Sequence, residues 1–212
     1  MIIYSDIIGV LLAGGQSRRM GGGDKGLLEL SGKPMIQHVI ERLKPQVRAL
    51  VINANGDPKR FEAYRLPVVA DTISGHVGPL AGVLAGMRWA KQNAPEATHI
   101  ITVPTDAPLL PLELAAKLLS ALEDGSGTIA LAASDGHKHP VIGLWPVNLA
   151  DDLECALKDG VRKVLHWADR HGTNIAQFEF ISLDGMTIDP FFNANTPEEL
   201  AQVGTILETQ TL

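Results

Sequence analysis

A glycine-rich, basic segment near the start of the chain combines the residue types that bind phosphate. It spans residues 12–25 and carries Arg18, Arg19 and Lys25 among its glycines. Glycine lets a backbone approach a ligand closely and turn its N–H groups toward phosphate oxygens, and the basic side chains add positive charge. Because the apolar run at residues 7–12 predicts a buried strand, the segment is interpreted as a phosphate-binding loop that follows a strand, not as a flexible surface loop.

Two common nucleotide-binding motifs are excluded for this segment. Residues 21–26 match G-x-G-x-x-G, but the dinucleotide fingerprint must follow its strand directly, and residues 13–20 intervene. No Gly-Lys-Ser or Gly-Lys-Thr follows the glycines, so the P-loop pattern is not met either. The loop therefore has to be interpreted together with polar residues elsewhere in the chain.

Polar residues also follow the other predicted strands at their carboxyl ends. Asn53 ends the second predicted strand, Asp71 follows the third, and Asp106 comes just after the fourth. The carboxyl ends of parallel strands meet at one edge of a sheet, so these side chains are expected to converge with Lys25. A carboxylate that faces a phosphate loop suits Mg²⁺, which prefers one or two carboxylates together with phosphate oxygens. The sequence therefore predicts a nucleotide and Mg²⁺ site at this edge.

Apolar runs that alternate with helical patterns predict the architecture that positions these residues. The alternation indicates an α/β fold with three layers, Rossmann-like, around a mostly parallel sheet. A turn-rich segment at residues 133–140 predicts a short antiparallel excursion in the second half. The predicted strands are residues 7–12, 49–53, 67–70, 99–103, 129–133, 141–144 and 175–181, and the predicted helices are residues 34–44, 57–64, 79–92, 111–123, 147–158, 161–171 and 197–207.

The composition limits the class of protein. A chain of 212 residues is expected to form one domain, and its net charge of −6 disfavours a nucleic-acid-binding protein. The single cysteine, Cys155, cannot form an internal disulfide, which favours a reducing compartment. The N-terminus shows neither a signal peptide nor a membrane span, so a cytoplasmic protein without membrane contact is expected.

Taken in order, these motifs resemble those of the molybdenum cofactor guanylyltransferase family. The resemblance covers nearly the whole chain. The Leu-Ala-Gly loop with a later arginine and lysine is shared by the wider nucleotidyltransferase superfamily. The double glycine Gly14-Gly15, the Asp24-Lys25 pair and the ending Asn-x-Asn-Thr-Pro-Glu-Glu-Leu narrow it to the guanylyltransferases. The matching segments are residues 12–21, 24–26, 53–55, 71, 78–82, 104–108 and 193–200.

The resemblance implies a nucleotidyltransferase fold and the transfer of GMP from GTP to the terminal phosphate of Mo-molybdopterin, with release of pyrophosphate. The attacking group is already an anionic phosphate oxygen, so catalysis requires positioning and charge neutralisation rather than a strong general base. By matched position, Arg19, Lys25 and Asp106 are the catalytic residues, and Asp106 holds Mg²⁺. The implied GTP-binding residues are Leu12, Ala13, Gly14, Gly15, Lys25, Asn53, Asp71 and Asp106.

The same resemblance implies that residues 1–212 form one nucleotidyltransferase domain, with one part of the chain for each substrate. Residues 1–110 would serve mainly GTP and Mg²⁺, and residues 130–200 mainly Mo-molybdopterin. Transient contacts with molybdopterin-delivery proteins, and with cofactor-accepting molybdoenzymes or their chaperones, are implied as well. The residues expected at Mo-molybdopterin are Asp135, His139, Arg162, Lys163, Asn193 and Asn195.

Three other functions remain open at this point. Two are enzymes of the same fold: a CTP-dependent molybdopterin cytidylyltransferase and a sugar-phosphate nucleotidyltransferase. The third is a non-catalytic nucleotide-binding regulator, which would keep the loop without the chemistry. Retention of both Lys25 and Asp106 weighs against the regulator. Measuring which nucleotide supports pyrophosphate release separates all of them.

Overall fold

The centre of the protein is a seven-stranded sheet with helices on both faces. The computed structural model describes residues 3–14, 24–73, 78–183, 185–193, 199 and 203–207. The strands are β1 (Tyr4–Leu12), β2 (Glu29–Leu30), β3 (Lys33–Pro34), β4 (Val47–Asn53), β5 (Val68–Val69), β6 (His99–Pro104), β7 (Ile129–Ser134), β8 (His137–Pro146), β9 (Thr173–Phe178), β10 (Ile181–Leu183) and β11 (Met186–Ile188). The α-helices that lie wholly within the described residues are α1 (Met35–Leu43), α2 (Pro79–Asn93), α3 (Leu114–Glu123), α4 (Ala150–Lys158) and α5 (Val164–Ala168).

The order of strands across the sheet is β5-β4-β1-β6-β8-β7-β9. β1 pairs in parallel with β4 and β6, and β7 pairs in parallel with β9. Only β8 among these seven strands runs the other way, antiparallel to both β6 and β7. The turn before β8 contains Asp135 and Gly136 at φ 44° and 76°, the left-handed region that tight hairpins use. The predicted α/β fold with a mostly parallel sheet and an antiparallel excursion is confirmed.

Two apolar cores cover the two faces of the sheet. Alternate residues of β1 point to opposite faces, so Ile7 and Leu11 join one core while Ile8 and Val10 join the other. The first core packs against α1 and α3, and the second against α2, α4 and α5. Burial on both sides explains why β1 is a nearly continuous apolar run, as parallel central strands usually are.

Several element boundaries differ from the sequence prediction. The predicted helix at residues 57–64 is a 3₁₀ helix, Pro58–Tyr64, whose first N–H groups are capped by the Asp57 side chain. The predicted strand at residues 175–181 is interrupted after Phe178, so that β9 belongs to the main sheet and β10 pairs with β11. The predicted helix at residues 161–171 was wrong at its start, because residues 161–163 form a non-helical link between α4 and α5.

Of the helix predicted at residues 197–207, residues 199 and 203–207 are described and are helical. Within the described part of the chain, none of the helices combines the length and apolar character that crossing a membrane requires.

Candidate active site

The carboxyl ends of β1, β4, β5 and β6 open into a cleft of about 790 Å³. This volume is in the range of small-molecule sites. Hydrogen bonds beyond the strand ladders keep the loops together: Ala13 N donates to Asn53 O at 2.9 Å, and Thr105 N donates to Leu12 O at 3.3 Å. Leu12, Ala13 and Gly14 therefore form one wall of the cleft, as expected for the start of the glycine loop. The cleft lies at the edge where parallel α/β sheets bind ligands.

Lys25 and Asp106 form an ion pair in this cleft. Their Nζ and Oδ2 atoms are 3.0 Å apart, and the side chains are only 13% and 19% exposed. The two segments meet closely because Gly26 has no side chain: a Cβ there would lie 2.4 Å from Thr105 Oγ1. The predicted catalytic lysine and the predicted metal carboxylate are thus brought together.

Asn53 and Asp71 meet on another wall of the cleft, and Asn55 joins them. Asp71 accepts hydrogen bonds from Asn53 Nδ2 at 3.0 Å and from Asn55 Nδ2 at 2.7 Å, one at each carboxylate oxygen. Its backbone N–H in turn donates to Asn55 Oδ1 at 2.9 Å. The two amides hold the carboxylate in one orientation at the cleft. Asn55 was not predicted as a site residue, although its place in Asn53-Ala54-Asn55 was a signal for it.

Arg60 connects these two parts of the cleft. Its Nε donates to Asp24, which precedes Lys25, and another nitrogen donates to the carbonyl of Asn55 at 2.6 Å. A third bond reaches the carbonyl of Asp57 at 2.7 Å. Sequence reasoning missed Arg60, since it lies in a short 3₁₀ helix without a recognisable motif and its acidic partner is 36 residues away.

The N-terminus of α2 forms a further part of the cleft. Gly78 and Pro79 line it, and Gly82 on the first turns packs directly on the site. A Cβ at Gly82 would lie 2.4 Å from Asn53 Oδ1 and 2.6 Å from a Leu12 methyl group. Absence of this carbon lets the N-terminal end of α2, which carries a partial positive charge, lie close to the cleft.

The cleft also contacts the second half of the chain through β8. The register of β7 and β8 shifts at residues 140–142, so that His139 faces Ala132 while Gly143 faces Leu131. This bulge places Val141 in the cleft wall, and its carbonyl accepts a hydrogen bond from Thr102 Oγ1 at 2.7 Å. β8, which contains the predicted acceptor residue His139, therefore also lines the cleft.

His139 lies in a polar cluster with Ser134 and Asp189. Its Nε2 is 2.6 Å from Ser134 Oγ, and Ser134 Oγ donates to Asp189 Oδ2 at 2.7 Å. Burial of the ring lowers the pKa of His139 below its ordinary value, against the opposing influence of the Asp189 charge. The imidazole is therefore neutral at pH 7. Asp135, the other predicted residue of this turn, is exposed at its tip.

Arg162 and Lys163 lie in the link between α4 and α5, not on a helix. One Arg162 nitrogen donates to the carbonyls of Leu157 at 2.7 Å and Val161 at 2.8 Å, so the guanidinium closes the C-terminal end of α4. The Arg162 carbonyl is 3.9 Å from the position that a Cβ of Gly78 would occupy. The link therefore runs beside the N-terminus of α2, with both side chains at the surface.

Asn193, which is predicted at Mo-molybdopterin, contacts Asp106. With its amide nitrogen turned toward Asp106, it donates to the carbonyl oxygen at 3.1 Å and to Oδ1 at 3.3 Å. Three other predicted site residues, Gly15, Arg19 and Asn195, lie outside the described residues. The predicted donor residues Leu12, Ala13, Gly14, Lys25, Asn53, Asp71 and Asp106 all line one cleft.

The donor groups in this cleft suit a cation that shares its ligands with a nucleotide. Asp106 is a partly exposed carboxylate beside the phosphate loop. Within the described ranges, no group of three or more histidine, cysteine or acidic side chains could enclose a metal by itself. Mg²⁺ typically takes one or two carboxylates and completes its shell with phosphate oxygens and water. The residues present therefore fit such an ion.

Comparison with known proteins gives one family. Residues 9–173 match the model of the MobA-like NTP transferase domain. The molybdenum cofactor guanylyltransferase of Rhizobium meliloti is 50% identical over 194 residues, covering 91% of this chain and 88% of that protein. The enzyme of the same name from Mesorhizobium japonicum is 45% identical over 207 residues, or 97% and 98% of the two chains.

Solved structures agree with that result. Molybdopterin-guanine dinucleotide biosynthesis protein A from Archaeoglobus fulgidus superposes with a TM-score of 0.69 at 25% identity, over 96% of this chain and 99% of that one. A CMP:2-keto-3-deoxy-manno-octonic acid synthetase in complex with CTP superposes with a TM-score of 0.66 at 16% identity, over 97% and 99% of the two chains. The second similarity shows the fold alone.

Proposed function

The chain belongs to the MobA-like NTP transferase family, and from that premise we propose that it is a molybdenum cofactor guanylyltransferase. It transfers GMP from GTP to the terminal phosphate of Mo-molybdopterin. An oxygen of that phosphate attacks the α-phosphorus of GTP, the bond to the oxygen that bridges the α- and β-phosphorus breaks, and pyrophosphate leaves with the electron pair. The observation that carries this proposal is the Lys25–Asp106 pair at 3.0 Å in a cleft shared with Asn53 and Asp71.

The donor side positions GTP and neutralises its charge. Backbone groups of Leu12–Gly14 and the Lys25 ammonium face the triphosphate, and the N-terminal end of α2 adds a partial positive charge. Asp71, held by Asn53 and Asn55, offers two fixed acceptor oxygens to the nucleoside. Because the nucleophile is already anionic, such positioning and electrostatic stabilisation account for catalysis.

We infer that the divalent cation is Mg²⁺ and that Asp106 and the GTP phosphates hold it. When bound, the ion would neutralise charge on the phosphates of GTP and on the departing pyrophosphate. Lys25 orients Asp106 through the ion pair, and Asn193 donates hydrogen bonds to the carbonyl and the carboxylate of the same residue. Gly15 and Arg19 complete the proposed donor site from the glycine loop.

The acceptor side is proposed to lie in residues 130–200, with residues 1–110 serving mainly GTP. Asp135, His139, Arg162, Lys163, Asn193 and Asn195 remain the proposed contacts, because a pterin with one phosphate calls for carboxylate, amide or imidazole groups and a cation. Transient complexes with molybdopterin-delivery proteins and with molybdoenzymes or their chaperones are part of this proposal.

A nucleotide panel tests the function. Purified protein is incubated with Mo-molybdopterin, Mg²⁺ and GTP, ATP or CTP, and pyrophosphate and the dinucleotide product are measured. We expect GTP to be preferred, since a base-reading site rejects analogues that leave its buried groups unpaired. Faster turnover with CTP would assign the chain to cytidylyl transfer, and turnover with a sugar phosphate in place of Mo-molybdopterin would assign it to sugar activation. GTP binding without any transfer would identify a regulator.

A further inference from the structure

Asp189 uses its two carboxylate oxygens to hold two different parts of the protein. Oδ1 accepts the backbone N–H of Phe191 at 2.8 Å. Oδ2 accepts the hydroxyl of Ser134 at 2.7 Å and lies 3.5 Å from His139 Nε2. Asp189 lies directly after β11, outside the glycine loop. One of its contacts leads toward Asp106 and the other to His139.

The first contact leads to the metal carboxylate. The Oδ1 bond and a backbone bond from Phe192 N to Asp189 O at 3.0 Å fold residues 189–192 into a tight turn. Phe191 anchors this turn, since its ring is 3% exposed and packs edge-on against Phe178 at 5.0 Å. The turn ends at Asn193, whose amide donates to Asp106. The position of that amide therefore depends on the turn that Asp189 closes.

The second contact determines which ring nitrogen of His139 carries the proton. A carboxylate is only an acceptor, so the Ser134 hydroxyl donates to Asp189 and its oxygen accepts from His139 Nε2–H at 2.6 Å. In the neutral ring, Nδ1 is then the atom without a proton. The Phe191 ring lies against the imidazole at 4.7 Å and fixes its plane. Nδ1 is thereby prepared to accept an N–H group, which a pterin carries.

We propose that Asp189 is a positioning residue that couples the acceptor side of the site to the metal side. This inference rests on the proposed guanylyltransferase function. Through Ser134 the carboxylate selects the His139 tautomer that accepts from the pterin. Through the turn to Asn193 it supports Asp106, which holds the cation. A displacement of about 1 Å at either end costs on the order of 100-fold in rate, so one residue that fixes both ends serves the alignment of the two substrates.

Three substitutions, Asp189→Asn, Asp189→Ala and Ser134→Ala, separate the two contacts. In Asp189→Asn, the amide oxygen still accepts from Phe191 N–H, but the NH₂ group donates to Ser134, whose hydroxyl must then donate to His139 Nε2. This reverses the tautomer. We expect ¹⁵N shifts to report Nδ1–H instead of Nε2–H, and Mo-molybdopterin affinity to fall about tenfold. The affinity of the GTP complex for Mn²⁺, a paramagnetic probe of the cation site measured by electron spin resonance, should remain within about twofold of wild type.

Asp189→Ala removes both contacts. We expect it to weaken Mn²⁺ binding to the GTP complex about tenfold, the range found when a group behind a metal ligand is lost, and to weaken Mo-molybdopterin binding as well. Ser134→Ala removes only the second contact, so it should weaken the binding of Mo-molybdopterin and leave the affinity for Mn²⁺ unchanged. If Asp189→Ala does not fold, Asp189→Asn and Ser134→Ala carry the test. Asp159→Ala, which removes an exposed carboxylate after α4, is the matched control.

The outcomes are distinct. An unchanged His139 tautomer in Asp189→Asn, or unchanged Mn²⁺ and Mo-molybdopterin affinities in a folded Asp189→Ala, overturns the coupling while wild-type guanylyl transfer stands. A lower melting temperature with unchanged affinities overturns it too, because that result describes a merely structural residue. Absence of GMP transfer by the wild-type protein rejects the proposed function instead.

Discussion

At the residue scale, the site depends on carboxylates that are each held by neutral or cationic partners. Asp71 accepts from two asparagine amides, and Asp106 contacts Lys25 and Asn193. Such contacts hold a carboxylate in one orientation, which is what binding a cation or a nucleoside hydroxyl requires.

Asp106→Asn tests the metal ligand. The neutral amide is a poor ligand for a hard cation, so we expect guanylyl transfer to fall on the order of 10²–10³-fold while the protein folds normally. Pyrophosphate release is measured as a function of Mg²⁺ concentration, with Asp159→Asn as the control for the same chemical change at the surface. Wild-type turnover of Asp106→Asn at limiting Mg²⁺ would eliminate Asp106 as the ligand.

The pH dependence of acceptor binding tests His139. Burial and the nearby His137 charge lower its pKa, and Asp189 raises it, with a net value below the ordinary 6.5. The neutral ring is the form that accepts at Nδ1, so affinity for Mo-molybdopterin should be constant between about pH 7 and 8 and should decline only below about pH 6.5.

The acceptor phosphate itself titrates at about pH 6. The His139→Gln variant corrects for this titration. It lacks the imidazole, so the pH dependence of its affinity for Mo-molybdopterin reports the titration of the ligand. The difference between the two profiles, measured by calorimetry, belongs to His139. A difference that grows as the pH rises above 7 would contradict a lowered pKa.

At the element scale, α2 shows how a helix is fitted to a site. Its glycines face the sheet: Gly82 packs on Asn53 and Leu12 at the cleft, and Gly86 packs on Val10 in the core one turn later. Two close approaches along one helix bring its N-terminus to the strand ends. Glycine costs helix stability of about 1 kcal/mol per position, which this approach offsets.

The pair Gly82→Ala and Gly86→Ala separates site geometry from stability. A Cβ at residue 82 displaces Asn53 and with it the 3.0 Å bond to Asp71, so GTP affinity should fall about tenfold. A Cβ at residue 86 would lie 2.6 Å from a Val10 methyl group, so this variant should melt at a lower temperature with unchanged GTP affinity. Calorimetric titration and thermal unfolding are measured on both. Equal GTP affinity in Gly82→Ala and wild type would contradict the placement of Asn53.

At the scale of the whole molecule, one antiparallel strand joins the proposed donor half to the proposed acceptor half. β8 contacts β6 of the donor half, contributes Val141 to the cleft, and begins near His139. The link at residues 161–163 lies beside the N-terminus of α2, which also lines the cleft. The two substrates can thus be held side by side without sharing most of their contacts.

The double variant Arg162→Ala/Lys163→Ala tests this division. It should weaken Mo-molybdopterin binding while GTP affinity stays within about twofold of wild type, since phosphate contacts of the acceptor are lost and donor contacts are not. Some loss of stability, about 1 kcal/mol, is expected because Arg162 also caps the carbonyls of Leu157 and Val161.

Lys44→Ala is the control for that experiment. Lys44 is exposed and precedes β4, so it lies at the amino edge of the sheet, opposite the cleft. Both affinities are measured by calorimetry on folded protein. An equal loss for both ligands, or no loss for Mo-molybdopterin, excludes Arg162 and Lys163 from the acceptor site.

The amino-acid sequence by itself determined the order of the main strands along the chain and the edge of the sheet at which the predicted donor residues meet in one cleft. Apolar runs such as residues 7–12 have the period of a buried strand, and turn and loop chemistry marks where each strand ends. Because parallel strands must end at one edge, Lys25, Asn53, Asp71 and Asp106 could be placed together without coordinates. The hairpin at Asp135–Gly136 could also be predicted from the sequence, because the backbone conformation of a tight turn depends on its own residues.

Only the tertiary structure decided which side chains from distant segments meet. Arg60 contacts Asp24 across 36 residues, and Asp189 contacts Ser134 across 55 residues. Asn193 contacts Asp106 across 87 residues of chain. Such pairs leave no periodic or motif signal, because each depends on how the loops pack after the sheet has formed. The start of α5 was misjudged for a local reason: the Arg162 side chain bonds to the carbonyls of Leu157 and Val161 at the end of α4, and residues 161–163 form a non-helical link.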